Sequence, residues 1–271
     1  MWAKNNILKN IKWRLANRVS DQSHVFILGS PRSGTTLLQV IISIHSDFYA
    51  CESETGIFTW QDLFDEKRRY CGLSVEMINK IMGECKNSVE FMDKLAIYFL
   101  NTNSASRFVE KTPQHVLHLR KLLKYFPNSQ FINLYRDGRD CYCSSKFHKN
   151  VPQRKNVKVF AKYWKKCVNA RIQEGNNKKI FDVKYEELTS NPKDILEKIM
   201  RYLGASMQYQ QLSNTKIAED KRSGFTEHQN LKNPINTSSQ GRWRNEMTMH
   251  EKELFWRIAG KELERIGYEK D

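Results

Sequence analysis

Short apolar runs alternate along the chain with longer stretches whose apolar residues recur at helical spacing. His24 to Gly29 reads HVFILG, an unbroken apolar run closed by Gly, as a strand buried on both faces requires. Thr35 to Ile44 continues as an apolar helix. Arg107 to Val109 is a short strand candidate, Phe131 to Tyr135 (FINLY) a second buried strand, and Ile180 to Tyr185 (IFDVKY) another. Between them, Gln114 to Tyr125 places Val116, Leu117, Leu119, Leu122 and Leu123 at helical spacing. Val157, Phe160, Trp164, Cys167 and Val168 mark one face of a long helix. Asn191-Pro192 opens a helix through Ile195, Ile199 and Leu203 that Gly204 stops. The chain then turns polar and irregular from Ser206 to about Arg242, and Met247 to Ile266 reads as a closing helix.

Strands alternating with helices predict an α/β fold: a P-loop-like central parallel sheet with helices on both faces, in a single domain over residues 21–271. Residues 1–20 form a separate basic segment whose Trp2, Ile7, Leu8, Ile11, Trp13 and Leu15 allow an amphipathic helix. That helix suits docking on the protein body, or weak contact with an anionic membrane surface; docking on the body is the expectation. Ligands of such sheets bind beyond the carboxyl ends of the strands, so functional residues are expected after Leu28, Val109 and Tyr135.

Composition narrows the ligand. The chain has 271 residues, 45 Lys plus Arg against 30 Asp plus Glu, and a formal charge of +15, which points to an anionic ligand or partner. Nucleic acid is the general reading of that charge, and a phosphorylated or sulfated small molecule the sharper one. Six cysteines show no C-x-x-C pair, so neither a zinc ribbon nor a thioredoxin motif is indicated. Six thiols in a domain this size do not make a disulfide scaffold, and a reducing compartment is expected. No apolar run approaches the ~20 residues of a spanning helix, and the N-terminus lacks a secretory signal, so a cytoplasmic location is expected.

The chemistry concentrates after the first strand. Gly29-Ser30-Pro31-Arg32-Ser33-Gly34-Thr35-Thr36 has the G-x-x-x-x-G spacing of a phosphate loop, set between strand and helix. Small residues let backbone N–H groups close on an anion, and the helix N-terminus adds its partial positive charge. A nucleoside-triphosphate loop carries Lys after the second Gly. Thr35 stands there, and Arg32 supplies the charge from inside the loop. A second anion site is plausible after FINLY: a turn through Gly138 brings Arg136 and Ser144, eight residues later, to one anion. Asp137, Arg139 and Asp140 read as an ion-pair segment.

The segment FILGSPRSGTTLL resembles the 5′-phosphosulfate loop of sulfotransferases that use 3′-phosphoadenosine-5′-phosphosulfate (PAPS), especially the tyrosylprotein branch and its bacterial relatives. The resemblance implies sulfuryl transfer to an acceptor hydroxyl, on a glycan or a protein tyrosine, leaving PAP, with no metal. It implies cofactor contacts from Pro31, Arg32, Ser33, Gly34, Thr35 and Thr36 at the phosphosulfate. The family's 3′-phosphate motif, R-D-x-R with a Ser eight residues after the first Arg, implies Arg136 and Ser144, with the second Arg one place later here at Arg139. Cys51-Glu52-Ser53-Glu54-Thr55 is similar to the branch's C-x-E-E-T and implies Glu54 as the base. Ser53 replaces a Glu there, and Gly56 replaces an Arg that helps hold an acidic substrate, which puts a protein-tyrosine acceptor in doubt. Glu110-Lys111-Thr112-Pro113 implies Lys111 beside the leaving oxygen. The branch's Cys two residues before this Lys, bonded to the Cys matching Cys51, is Val109 here, so that disulfide does not carry over. The segment NTSSQGRW implies Arg242 at the 3′-phosphate. Thr226 falls near the sulfuryl group if one residue is inserted before Pro234, and Tyr185 falls beside the adenosine.

Without the resemblance, Glu52 and Glu54 are solvated carboxylates, Lys111 a surface lysine before a Pro turn and Tyr185 a core tyrosine. His115 and His118 lie three apart, but no third metal ligand is indicated. His45 is an alternative base whose position reads better as structural. Two other classes stay open: a P-loop kinase using ATP, against which Thr35 argues, and a non-enzymatic binder of an anionic polymer, against which the spread of basic residues argues. No nucleic-acid partner is expected. Some relatives dimerise, so a homodimer stays open. Residues 61–106 match no family motif and are expected to form part of the acceptor pocket, with Tyr70, Phe91, Tyr98 and Phe99 in the core.

Overall fold

The computed structural model describes residues 2–15, 18–59, 61–65, 67–68, 70–148, 151–224 and 231–270, with the side chains of 2–7 left aside. The strands are β1 (Val25–Gly29), β2 (Phe48–Ala50), β3 (Arg107–Lys111), β4 (Gln130–Tyr135) and β5 (Ile180–Lys184). They form one sheet in the order β2-β3-β1-β4-β5, and every neighbouring pair is parallel. The P-loop-like parallel sheet is therefore as expected. β1 lies at its centre and is wholly buried, with Val25 level with Val109 on one side and Gln130 on the other.

The period of two along β1 feeds two cores. Phe26 and Leu28 face a layer holding Phe91, Leu95 and Leu122, supplied by helices α4 (Ser88–Asn103) and α5 (Leu119–Tyr125). Val25 and Ile27 face the opposite layer, with Ile41 of α2 (Thr35–Ser43) and Leu196 and Ile199 of α9 (Pro192–Leu203). Phe26 stacks on Phe131 across the strand pair at 5.0 Å. Burying each such ring contributes roughly 2–3 kcal/mol. A third cluster joins α6 (Gly138–Ser145), α7 (Val157–Ile172) and α12 (Met249–Arg265) around Trp164 and Phe255.

α1 (Trp2–Leu15) docks on the body, as expected: the Trp13 ring meets Phe64 edge-on at 4.8 Å. Its other face leaves Leu8, Ile11 and Leu15 exposed. Among the elements the sequence pattern did not announce are β2, α3 (Val75–Gly83) and α4. The described residues of 61–106 supply core, with Tyr70, Phe91 and Phe99 buried, and none of these described residues lines the cleft described below, where part of an acceptor pocket was expected. Among the described residues no helix is long and apolar enough to cross a membrane.

Candidate active site

The loops after β1, β3 and β4 open into one cleft of about 470 Å³, where β1 separates connections that leave in opposite directions. One wall is the phosphate loop. Pro31, Arg32, Gly34, Thr35 and Thr36 line the cleft. Gly34 is left-handed at φ 96°, and no side chain caps the N-terminus of α2 that follows it. The first N–H groups of a helix have no partner within it, so this turn presents donors to an anion. Ser33 behaves differently: it is buried, does not line the cleft, and its hydroxyl donates to the Ser30 carbonyl at 2.8 Å. Its side chain holds the turn.

The loop at the end of β4 meets this wall. Arg32 Nε donates to Ser144 Oγ at 3.1 Å, and both residues line the cleft. Arg136 is buried. Its Nη1 donates to the Arg32 carbonyl at 2.9 Å and its Nη2 to the Ser239 carbonyl at 2.6 Å. The Tyr185 ring covers the guanidinium at 4.2 Å. Arg136 Nε is buried without a hydrogen-bond partner among the described residues. Two guanidinium groups, a hydroxyl and an uncapped helix start, one buried donor still to be satisfied, are a donor set for phosphate or sulfate oxygens. The residues fit a phosphorylated, sulfated nucleotide.

The rest of that segment is structural. Arg139 pairs with Asp137 at 2.8 Å and donates to the Glu269 and Lys270 carbonyls. Asp140 accepts from the N–H groups of Gly241 and Trp243 and so ties down the NTSSQGRW segment; burial raises its carboxyl above the ordinary value despite these donors. Asn236, Ser238 and Ser239 of that segment line the cleft. Arg242 does not: it forks onto Glu246 at 2.7 Å. Thr226 lies outside the described residues.

At the opposite end, Lys111 Nζ stands 3.0 Å from Glu54 Oε1, and both line the cleft. Lys111 is buried and Glu54 45% exposed, so the lysine is fixed while the carboxylate reaches open space. Glu52 pairs instead with Lys221 at 2.9 Å. His45 is buried against the Ser206 carbonyl, away from the cleft, and is structural. His115 is also buried, against Glu110 at 2.8 Å, and no metal-holding group of side chains occurs among the described residues.

Behind Glu54 the structure departs from expectation. Cys51 is joined to Cys71 by a disulfide, with Cα atoms 4.9 Å apart. Cys51 therefore has a partner, though not at the Val109 position, and cysteine usage no longer supports a reducing compartment. Gly56, at φ 57°, has Arg68 filling its side-chain space: a Cβ there would lie 3.0 Å from Arg68 Nη2. Arg68 donates to the Thr55 and Asp62 carbonyls and stacks on Tyr70 at 4.5 Å. Sequence reasoning missed both braces because neither Cys71 nor Arg68 stands in a motif. It also missed Gln114 and His148, which line the cleft and carry no pattern of their own.

The model of the sulfotransferase family matches residues 24–209, more than half of the chain. The chain belongs to the sulfotransferase family. It is 27% identical over 235 residues to a putative protein-tyrosine sulfotransferase of Caenorhabditis briggsae, covering 81% of this chain and 80% of that protein. It is 26% identical over 203 residues to protein-tyrosine sulfotransferase 1 of Danio rerio, covering 68% of this chain and 53% of the relative. The fold of this sulfotransferase matches the sulfotransferase domain of the Synechococcus PCC 7002 olefin synthase at TM-score 0.65 and 18% identity, over 91% of this chain and 98% of that one. A mouse sulfotransferase complexed with PAP matches at TM-score 0.56 and 14% identity, over 94% and 89%.

Proposed function

We propose that the chain transfers the sulfuryl group of PAPS to a hydroxyl of an acceptor, a peptide tyrosine or a glycan, with Glu54 and Lys111 at the reacting end of the cleft. The observation that carries this reading is the Lys111–Glu54 pair facing the two-arginine wall across one cleft. PAPS, when bound, supplies the sulfuryl group and takes back the negative charge of its departing phosphate. Arg32 and the start of α2 hold the phosphosulfate. Arg136, backed by Tyr185, and Ser144 hold the 3′-phosphate. Glu54, the more exposed of the pair, takes the proton of the acceptor hydroxyl. Lys111, fixed by burial, stabilises charge that develops only as the bond breaks, where a preorganised cation acts most strongly.

The cofactor is tested by thermal unfolding with PAP and with ATP. A ligand at about a hundred times its dissociation constant adds ~2.7 kcal/mol. Stabilisation by PAP but not ATP supports the reading, and a shift with ATP alone returns the kinase. Glu54→Gln is expected to lose turnover on an acidic tyrosine peptide or a glycan while keeping PAP affinity. Normal turnover in that variant removes the base assignment.

A weak membrane contact through residues 1–20 is part of the same proposal. Leu8, Ile11 and Leu15 are exposed, and the sequence of residues 1–20 carries Lys4, Lys9, Lys12, Arg14 and Arg18 with no Asp or Glu among them, although Arg18 reaches Glu90 at 3.8 Å. Salt-sensitive co-sedimentation with phosphatidylserine vesicles supports it, and equal recovery with neutral vesicles argues against it.

A further inference from the structure

Behind the Lys111–Glu54 pair lies a sealed polar network that the reaction itself does not use. Glu110, His115, Thr55 and Thr112 are all at most 1% exposed. Glu110 Oε1 accepts from the Thr55 hydroxyl at 2.7 Å and from the Thr112 hydroxyl at 2.6 Å. Its Oε2 meets His115 Nδ1 at 2.8 Å. His115 Nε2 accepts from the Phe58 N–H at 3.1 Å, which sets the tautomer: the imidazole is neutral and its Nδ1–H donates to Glu110. The Gly56 N–H donates to Thr112 Oγ1 at 3.0 Å. A buried carboxylate this fully satisfied has little freedom to move.

The register explains what the network is for. Thr112 is extended at φ −135°, and side chains of an extended chain alternate in direction. Glu110 and Thr112 point inward, and Lys111 between them lines the cleft. On the facing segment, Glu54 lines the cleft, while Thr55 and the Gly56 N–H turn inward. Two inward bonds, Thr55 to Glu110 and Gly56 to Thr112, thus lace together the two backbones that carry Glu54 and Lys111.

We infer that Glu110, with Thr55, Thr112 and His115, is a positioning network that sets the separation of Glu54 and Lys111. None of the four is a catalytic residue: they meet the cleft only through their chain neighbours. The inference rests on the proposed roles of Glu54 and Lys111 for its kinetic consequence, though not for its geometric one.

The test removes one hydroxyl at constant shape. Thr55→Val and Thr55→Ser are compared with the native protein, using PAPS with an acidic Glu-Tyr copolymer as acceptor and calorimetry with PAP. Thr55→Val is expected to lower kcat about 10- to 100-fold, with the dissociation constant for PAP within about twofold, and Thr55→Ser to restore most of the turnover. Full turnover in a folded Thr55→Val protein overturns the inference, and so does parallel loss of turnover and PAP affinity, which would mark general damage to the cleft. A crystal structure of Thr55→Val tests the geometry without an acceptor: a Glu54–Lys111 contact still at 3.0 Å overturns the inference even if the copolymer is not a substrate. Active Glu54→Gln would instead sink the functional reading and leave the geometric test standing. If Thr55→Val does not fold, Glu110→Gln, which keeps the shape and one acceptor oxygen but sets an amide against His115, is judged by the same criteria.

Discussion

Gly34→Ala is the substitution for which the structure sets the cost most directly. Position 34 sits at φ 96°, and a Cβ there would lie 2.4 Å from Cδ2 and 2.9 Å from Cε2 of Tyr185. The left-handed backbone costs a side-chain residue about 1–3 kcal/mol. The clash is with the edge of a rigid ring, so the ring must move rather than a flexible side chain bend. Tyr185 is buried and covers the Arg136 guanidinium, so moving it also forfeits a desolvated cation–π contact of about 1–2 kcal/mol. A total loss of about 2–5 kcal/mol corresponds to a fall in melting temperature of roughly 5–15 °C. PAP affinity should fall at least about tenfold, since each 1.4 kcal/mol withdrawn from the Arg136 wall is a factor of ten. Thermal unfolding and calorimetry with PAP read the two effects separately. The double variant Gly34→Ala/Tyr185→Ala keeps the backbone cost and removes the clash, so the pair should couple by about 1–2 kcal/mol. Additive effects, or a Gly34→Ala protein that binds PAP within twofold of native, would refute the reasoning.

Three further outcomes are expected. Cys71→Ser opens a disulfide whose cysteines are 20 residues apart; the chain-entropy model gives about 3 kcal/mol, and native protein with a thiol reductant should show the same fall in unfolding midpoint while the variant shows none. Burial lowers His118 from 6.5 to about 4, so the folded state prefers it neutral: its contribution is present above pH 6.5, and stability is lost as pH falls from there towards 4 because the unfolded chain takes up the proton first. Partial exposure reduces the effect to about 1–2 kcal/mol, and His118→Gln should flatten that limb in urea titrations at pH 7 and 4.5; an unchanged slope would assign it elsewhere. Lys111→Met should lower kcat by about a hundred-fold or more with a smaller change in PAP affinity, whereas equal losses in both would make the lysine a binding residue only.

The fold was legible wherever local pattern and tertiary role agree. HVFILG and FINLY announce buried parallel strands because both faces of β1 and β4 are covered, so no polar alternation interrupts them. β2 is three residues long and was not legible, because Phe48–Ala50 forms a strand only through pairing with Arg107–Val109. The meeting of Arg32, Arg136 and Ser144 at one wall of the cleft was legible because loop spacing constrains backbone shape. The orphan Nε of Arg136 was not, because it depends on where Ser239 and Tyr185 come to rest. His115 stands three residues from His118 on a predicted helix, a spacing for which no third metal ligand was indicated, so the pattern assigned it no role. Its actual partner, Glu110, lies on β3, and no spacing rule links a strand end to a 3₁₀ turn.

The segment behind Glu54 shows why its departures from the family pattern belong together. It has no Cys at position 109, no Glu at 53 and no Arg at 56. Two of these gaps are filled in space from residues 68–71, which carry no motif: Cys71 supplies the sulfur for Cys51, and the Arg68 guanidinium occupies the room that Gly56 leaves. The replacement is not equivalent for Arg68, because it donates to the Thr55 and Asp62 carbonyls and lies on the Tyr70 ring. Those contacts direct it at the loop rather than at the cleft, which it does not line. A guanidinium spent on carbonyls braces the backbone that carries Glu54 from one side, as the Thr55–Glu110 bond does from the other. The chain thus carries a carboxylate at 54 on a support built from other residues, and the Arg68 charge is spent on the loop behind it rather than in the cleft.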